Sequence, residues 1–153
     1  ARSLAYDTLI ISVGSTSNDF GTTGAKDHCI FLDTRAQADR FQREFLNLYL
    51  QAQARSLDQA EPQSLNIAII GAGATGVELA AELHHAAHEF NRYGLTSIDP
   101  NNVSITLIEA AERVLPVLPP AVSARAESQL HEFGVKVLTN RRVVVHMIKG
   151  EDY

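Results

Sequence analysis

The chain has 153 residues, enough for one domain that buries roughly 68–70% of the surface its unfolded form exposes. Its hydrophobic fraction of 45% and charged fraction of 20% are those of an ordinary globular protein. Its 13 basic and 18 acidic side chains give a net charge of −5, which argues against a nucleic-acid partner, and no apolar run approaches the roughly 20 residues that span a bilayer.

The opening Ala1-Arg2-Ser3-Leu4 has neither signal-peptide anatomy nor a starting methionine, so the sequence reads as an internal piece of a longer one. Cys29 is the only cysteine, which leaves no internal disulfide and no C-x-x-C pair and points to a reducing compartment. The apolar run Tyr6 to Val13, ending at Gly14-Ser15, predicts a buried strand, and the polar cluster Ser15 to Gly24 a loop. Ile30-Phe31-Leu32 reads as a brief extended segment. Thr34-Arg35-Ala36-Gln37 has the form of a capping box, with the hydroxyl three residues before the amide. Ala38, Phe41, Phe45, Leu48, Tyr49 and Ala52 then recur at helical spacing, which predicts a packing helix over 34–55. Leu57 to Ser64, polar and carrying Pro62, reads as a linker.

A strand over Asn66–Ile70 follows and breaks at Gly71-Ala72-Gly73-Ala74-Thr75-Gly76. Strand, G-x-G-x-x-G and helix in succession form the setting that cradles a dinucleotide pyrophosphate. Gly71 permits the tight turn, Gly73 lets the backbone approach the phosphates, and Gly76 lets the helix pack close to the strand. The helix runs from about Ala74 to Tyr93, with Val77, Ala80, Ala81 and Leu83 toward the sheet and Gly94 as C-terminal cap. Its free N–H groups near Ala74 and Thr75 face the ligand at the positive end of the macrodipole.

Leu95 to Asn102 is an excursion holding the turn signal Asp99-Pro100-Asn101-Asn102, and Val103–Glu109 is the second strand. Pro116, Pro119 and Pro120 mark a loop. A further helix begins near Pro120, carries Val122, Ala126 and Leu130, and closes at Gly134. Val135–Leu138 is the third strand and Arg142–Ile148 a fourth. From 66 to 138 the order is βαβαβ, an α/β fold with a parallel, Rossmann-like sheet.

Glu109 ends the second strand, where a carboxylate accepts hydrogen bonds from both adenosine ribose hydroxyls and repels a 2′-phosphate, which favours NAD(H) over NADP(H). The usual spacing from the glycines is about 20 residues. Here Glu109 lies 109 − 76 = 33 beyond the last glycine, a surplus taken up by the long helix and the excursion. Arg113 is the nearby cation, placed to pair with Glu112 or Glu109. Glu78, inside the first helical turn, reads either as a carboxylate complementing the helix dipole or as one close to bound nicotinamide. His84, His85 and His88 lack an H-E-x-x-H frame and read as solvated helix residues rather than a metal site. Cys29 beside His28 reads as an ordinary cysteine. The absence of a G-x-S-x-G elbow and a G-x-x-x-x-G-K-[ST] loop removes two rival enzyme classes.

With these residues in hand, the chain resembles the two-dinucleotide-binding-domain flavoproteins, and among them the type II NADH dehydrogenases, NADH:quinone oxidoreductases of respiratory membranes. The resemblance is carried by Tyr6 to Ser15, Phe31-Leu32-Asp33, Gly71 to Leu83, Glu109 to Pro116 and Gly134 to Val137. It implies an NADH domain inserted between two halves of an FAD domain. On that plan residues 1–33 are the tail of the FAD domain, with Gly14 near the flavin. Residues 34–64 are a crossover helix and linker. Residues 65–153 are an incomplete NADH domain whose β-meander is only begun.

The resemblance implies that Gly71, Gly73, Ala74, Thr75 and Gly76 hold the NADH pyrophosphate and Glu109 the ribose. It moves Glu78 to the nicotinamide–flavin contact. It implies FAD and a quinone as partners of the parent protein, peripheral attachment to the cytoplasmic face of a bacterial inner membrane through regions absent here, and room for a homodimer. An isolated piece should not turn over quinone. Two alternatives stand beside it: a ferredoxin- or rubredoxin-reductase-type flavoprotein, and a non-catalytic NADH-sensing module.

Overall fold

The computed structural model describes residues 3–10, 14, 16–56, 63–96 and 98–145. The short helix α1 (Ala25–His28) precedes α2 (Arg35–Ser56), and β1 (Gln63–Ile70) leads into α3 (Ala74–Arg92). Then come β2 (Ile98–Ile108), α4 (Pro120–Glu132) and β3 (Lys136–Leu138). The strands form one parallel sheet in the order β1-β2-β3, each joined to the next by a helix. This is the expected βαβαβ unit.

Local chemistry sets the element ends. Gln37 Oε1 accepts the Asp33 and Thr34 N–H groups at 2.9 Å, and Thr34 Oγ1 accepts the Gln37 N–H at 3.3 Å, so the capping box opens α2 as its sequence predicts. Helices α3 and α4 end alike. Gly94 (φ 89°) donates to Asn91 and Leu95 to Phe90, while Gly134 (φ 73°) donates to His131 and Val135 to Leu130. These paired bonds satisfy the last helical carbonyls, and the left-handed residue they require is glycine in both cases.

The core lies between α3 and the sheet. Ala80, Leu83 and Ala87 of α3 are buried at three- and four-residue spacing over Leu65, Ile69, Ile105 and Leu107. Val77 and Ala81 sit at the half-buried flank of the same stripe. On α2, Phe41, Phe45, Tyr49 and Ala52 face inward, whereas Ala38 and Leu48 are exposed. The Tyr49 ring meets Phe90 edge-on at 4.8 Å and Phe45 at 5.3 Å.

Burial pushes the Tyr49 phenol up to about 12, and its hydroxyl has no hydrogen-bond partner among the described residues. An unpaired buried hydroxyl costs about 1–3 kcal/mol. Tyr49→Phe is therefore expected to raise unfolding free energy by about 1 kcal/mol. A loss of stability in urea titration would show that the hydroxyl is bonded.

Several expectations require correction. β1 begins at Gln63, so Gln63 and Ser64 belong to the strand and not to the linker expected over 57–64. Residues 6–10 of the first apolar run form no strand, and Leu9 and Ile10 are exposed; Val13 and its neighbours lie outside the described residues. A strand needs a ladder partner to satisfy its backbone, and this run has none among the described residues. Residues 142–145 of the fourth strand and meander are likewise not strand, and 146–148 lie outside the described residues. Their one described backbone tie is from Val145 N–H to the Thr23 carbonyl at 3.0 Å.

The Asp99–Asn102 turn does not precede β2 but bulges within it. Gln63 pairs with Ile98 and Leu65 already with Val103, with Asp99 Oδ1 accepting the Asn101 N–H at 2.8 Å. On α4, Ser123 rather than Val122 faces the interior: Ser123 is 2% exposed and Val122 44%. The preceding loop holds Ser123 by its hydroxyl and so sets the phase of the helix.

Candidate nucleotide site

The site forms where β1 and β2 end side by side. Gly71 leaves β1 with φ 101°, a conformation that side chains rarely adopt, and its N–H donates to the Ile108 carbonyl at 2.8 Å. Gly73 caps α3 without a side-chain hydrogen bond. Its own carbonyl accepts the Val77 N–H at 3.1 Å, so the N–H groups of Ala74, Thr75 and Gly76 have no intrahelical acceptor. Gly76 presses α3 onto the turn. A Cβ there would stand 2.0 Å from the Gly71 oxygen and 3.5 Å from Leu107 Cδ1. At Gly73 a Cβ would meet nothing within 4 Å, and its φ of −70° suits any residue.

Glu109 follows β2 directly and is half-buried. One carboxylate oxygen accepts the Ala72 N–H and the other the Ala111 N–H, both at 2.7 Å. Its main chain ties the loops after β2 and β3: Glu109 N–H donates to Leu138 O at 2.8 Å, and Arg141 N–H to Glu109 O at 2.9 Å. The carboxylate therefore sits against the glycine turn despite the long spacing. Each oxygen keeps lone-pair capacity beyond its one bond.

These groups line an open cleft of about 1520 Å³. Gly71, Gly73, Ala74, Thr75 and Gly76 line it together with Glu109, and so do residues 17–23 and 28–32. Gly14 (φ 72°) and Glu78 are exposed and do not line it, and Glu78 lies past the first turn of α3 rather than inside it. Cys29 does, but burial raises its thiol pKa, away from the thiolate that nucleophilic chemistry needs.

Arg113 pairs with neither Glu112 nor Glu109, contrary to expectation. Its guanidinium donates instead to the Pro116 and Leu118 carbonyls and to Ser123 Oγ. Arg141 and Arg142 also line the cleft, a place no local signal marks, because only the fold returns the end of β3 to the end of β2.

His84 stacks on Phe133 at 4.8 Å with His88 at 4.7 Å. Burial, then the neighbouring His88 and His85, holds its pKa below the ordinary imidazole value. Among the described residues no group of three or more His, Cys, Asp or Glu side chains is placed to hold a metal, and no helix is long and apolar enough to cross a membrane.

The family model for pyridine nucleotide-disulphide oxidoreductases matches residues 1–152. The chain is 45% identical to the type II NADH:quinone oxidoreductase of Haemophilus influenzae over 94% of its own length and 35% of that protein. It is 36% identical to the external alternative NAD(P)H-ubiquinone oxidoreductase B1 of Arabidopsis thaliana mitochondria, covering 93% of this chain and 25% of that one. The structure of NDH2 from Plasmodium falciparum in complex with NADH superposes with a TM-score of 0.71 at 27% identity, over 92% of this chain and 29% of that one. The chain thus spans roughly a third or less of the length of each.

Proposed function

The chain belongs to the pyridine nucleotide-disulphide oxidoreductase family, and on that premise we propose that it is the NADH-binding part of a flavin-dependent NADH:quinone oxidoreductase. The observation that carries the reading is Gly73. Neither its backbone angles nor its surroundings demand glycine, since a Cβ there would touch nothing in the protein. A close approach from outside the chain accounts for it, and the neighbouring N–H groups without intrahelical acceptors suit an anion.

On this reading the N–H groups of Ala74, Thr75 and Gly76 donate to the pyrophosphate, with Gly71 and Gly76 fixing the turn that aims them. The Glu109 carboxylate accepts from the adenosine ribose hydroxyls with its remaining lone pairs, and its charge disfavours a 2′-phosphate. Glu78 stands on the first turns of α3, toward the nicotinamide end, as an electrostatic neighbour of the reacting ring. A bound nicotinamide would supply the hydride to flavin, and quinone would be the final acceptor of the two electrons. The chain's own residues bind and orient.

Residues 1–33 then belong to the FAD domain, 34–64 to the crossover and linker, and 65–153 to the NADH domain. Gly14, with its left-handed backbone and open surroundings, is the residue offered to FAD. The parent protein would attach peripherally to the cytoplasmic face of a bacterial inner membrane, and a homodimer is compatible with this arrangement. The names of the relatives, one an NADH:quinone and one an NAD(P)H-ubiquinone oxidoreductase, support the donor and acceptor classes.

The test is spectroscopic. The purified parent protein should carry flavin absorbance that NADH bleaches under anaerobic conditions and quinone restores. Bound flavin that NADH leaves unbleached would refute the reading.

A further inference from the structure

We infer that Arg113 is a positioning residue for the nucleotide turn, although it is not placed to touch the nucleotide. Its guanidinium gathers three acceptors from the loop after β2 and from α4: Pro116 O at 2.7 Å, Leu118 O at 2.8 Å and Ser123 Oγ at 2.9 Å. Ser123 Oγ in turn donates to Leu115 O at 3.3 Å, and the Leu118 N–H donates to the same oxygen at 2.9 Å. Leu115 is held with φ 48°, a left-handed backbone that a branched side chain adopts only when its surroundings enforce it.

That conformation points the Leu115 N–H at the Ala72 carbonyl, 2.8 Å away. Ala72 is the residue between Gly71 and Gly73, and it is fully buried. Its N–H already donates to Glu109. Both backbone groups of the turn's central residue are therefore pinned by the loop that Arg113 folds, Glu109 on one side and Leu115 on the other. Val114, between Arg113 and Leu115, is also fully buried, which anchors the brace in the core.

A planar fork of donors is what this geometry uses. A lysine ammonium is a compact point donor on a flexible stem and cannot span three acceptors in the same fixed geometry. Removing the fork frees Leu115 to leave its strained backbone, and the turn then loses one of its two restraints. A site held within fractions of an ångström binds well only if such support is intact.

The inference rests on the nucleotide reading above, but its first test does not. In the full-length protein, hydrogen exchange at the Leu115 and Ala72 amides should accelerate at least about 10-fold in Arg113→Ala while Leu107 in the sheet is unchanged. In the same variant the dissociation constant for NADH should rise about 10-fold. Arg113→Lys should fall between variant and wild type, and millimolar guanidinium should restore affinity in Arg113→Ala but not in Arg113→Lys. Ser123→Ala, which keeps the two carbonyl contacts, should show a smaller change of the same kind.

Unchanged exchange at Leu115 and Ala72 would overturn the inference, as would uniform acceleration including Leu107, which marks global loosening. So would NADH affinity within twofold of wild type alongside accelerated exchange. A wild-type protein that binds no NADH would instead count against the proposed function, and the exchange result would still decide the brace.

Discussion

Gly76→Ala is expected to weaken nucleotide binding severely while the protein stays folded. The new Cβ would lie 2.0 Å from the Gly71 carbonyl oxygen, a backbone atom that cannot swing aside as a side chain would. Helix α3 and the turn must separate, and overpacking of this kind costs about 1–3 kcal/mol. Domains commonly have about 5–15 kcal/mol of stability, so the fold should survive with a lowered midpoint of unfolding. The turn, displaced from α3, would no longer aim its N–H groups, and NADH affinity should fall by about 100-fold or more.

Gly73→Ala makes the contrast. Its backbone accepts alanine and its surroundings are open, so stability should hold or rise by about 0.4–1 kcal/mol through the unfolded state. Affinity for NADH should nevertheless fall. Calorimetric unfolding and NADH titration of both variants check the pair. If Gly73→Ala bound as tightly as wild type, the surface beside Gly73 would not be where the dinucleotide lies.

Glu109→Arg carries the second large effect, because Glu109 does two jobs. Its carboxylate is the described acceptor of the Ala72 and Ala111 N–H groups at 2.7 Å each, and Ala72 is fully buried. An arginine offers only donors there, and a buried donor left unpaired costs about 1–3 kcal/mol. The ribose hydroxyls lose their acceptor at the same time. NADH affinity should fall about 100-fold. NADPH affinity should fall much less, because a cation now joins Arg141 and Arg142 in the cleft. Titration with each nucleotide gives the ratio. Unchanged NADH affinity and an unchanged NADH/NADPH preference would remove Glu109 from the ribose.

What could be read from sequence was whatever local chemistry determines. The Thr34/Gln37 box opens α2 because its hydrogen bonds close within four residues. Gly71 and Gly76 follow from backbone sterics at a strand-to-helix turn, and Glu109 from its place after the strand that pairs with β1. The surplus spacing leaves the end of β2 beside the end of β1, since a bulge and a long helix lengthen the chain without moving it.

What could not be read depends on partners distant in sequence. The run from Tyr6 looks like a strand by composition, yet strand formation needs a neighbour to complete its hydrogen bonds, and none stands beside residues 6–10 among the described residues. On α4, Ala126 and Leu130 face the core as their spacing predicts, but Ser123 takes the place expected of Val122, held inward by its hydrogen bond from Arg113. Charge alone pairs Arg113 with a neighbouring carboxylate. Three oxygen acceptors in a tight loop satisfied its fork better.

The central claim is that the turn from Gly71 to Gly76 and the start of α3 hold the NADH pyrophosphate, and amide chemical shifts during an NADH titration test it most directly. The N–H resonances of Gly73, Ala74, Thr75 and Gly76 should move together and saturate with one dissociation constant. Those of Tyr49 and Leu130, buried away from the cleft, should stay in place. Saturable shifts confined to other residues, with these four amides unmoved, would contradict the account.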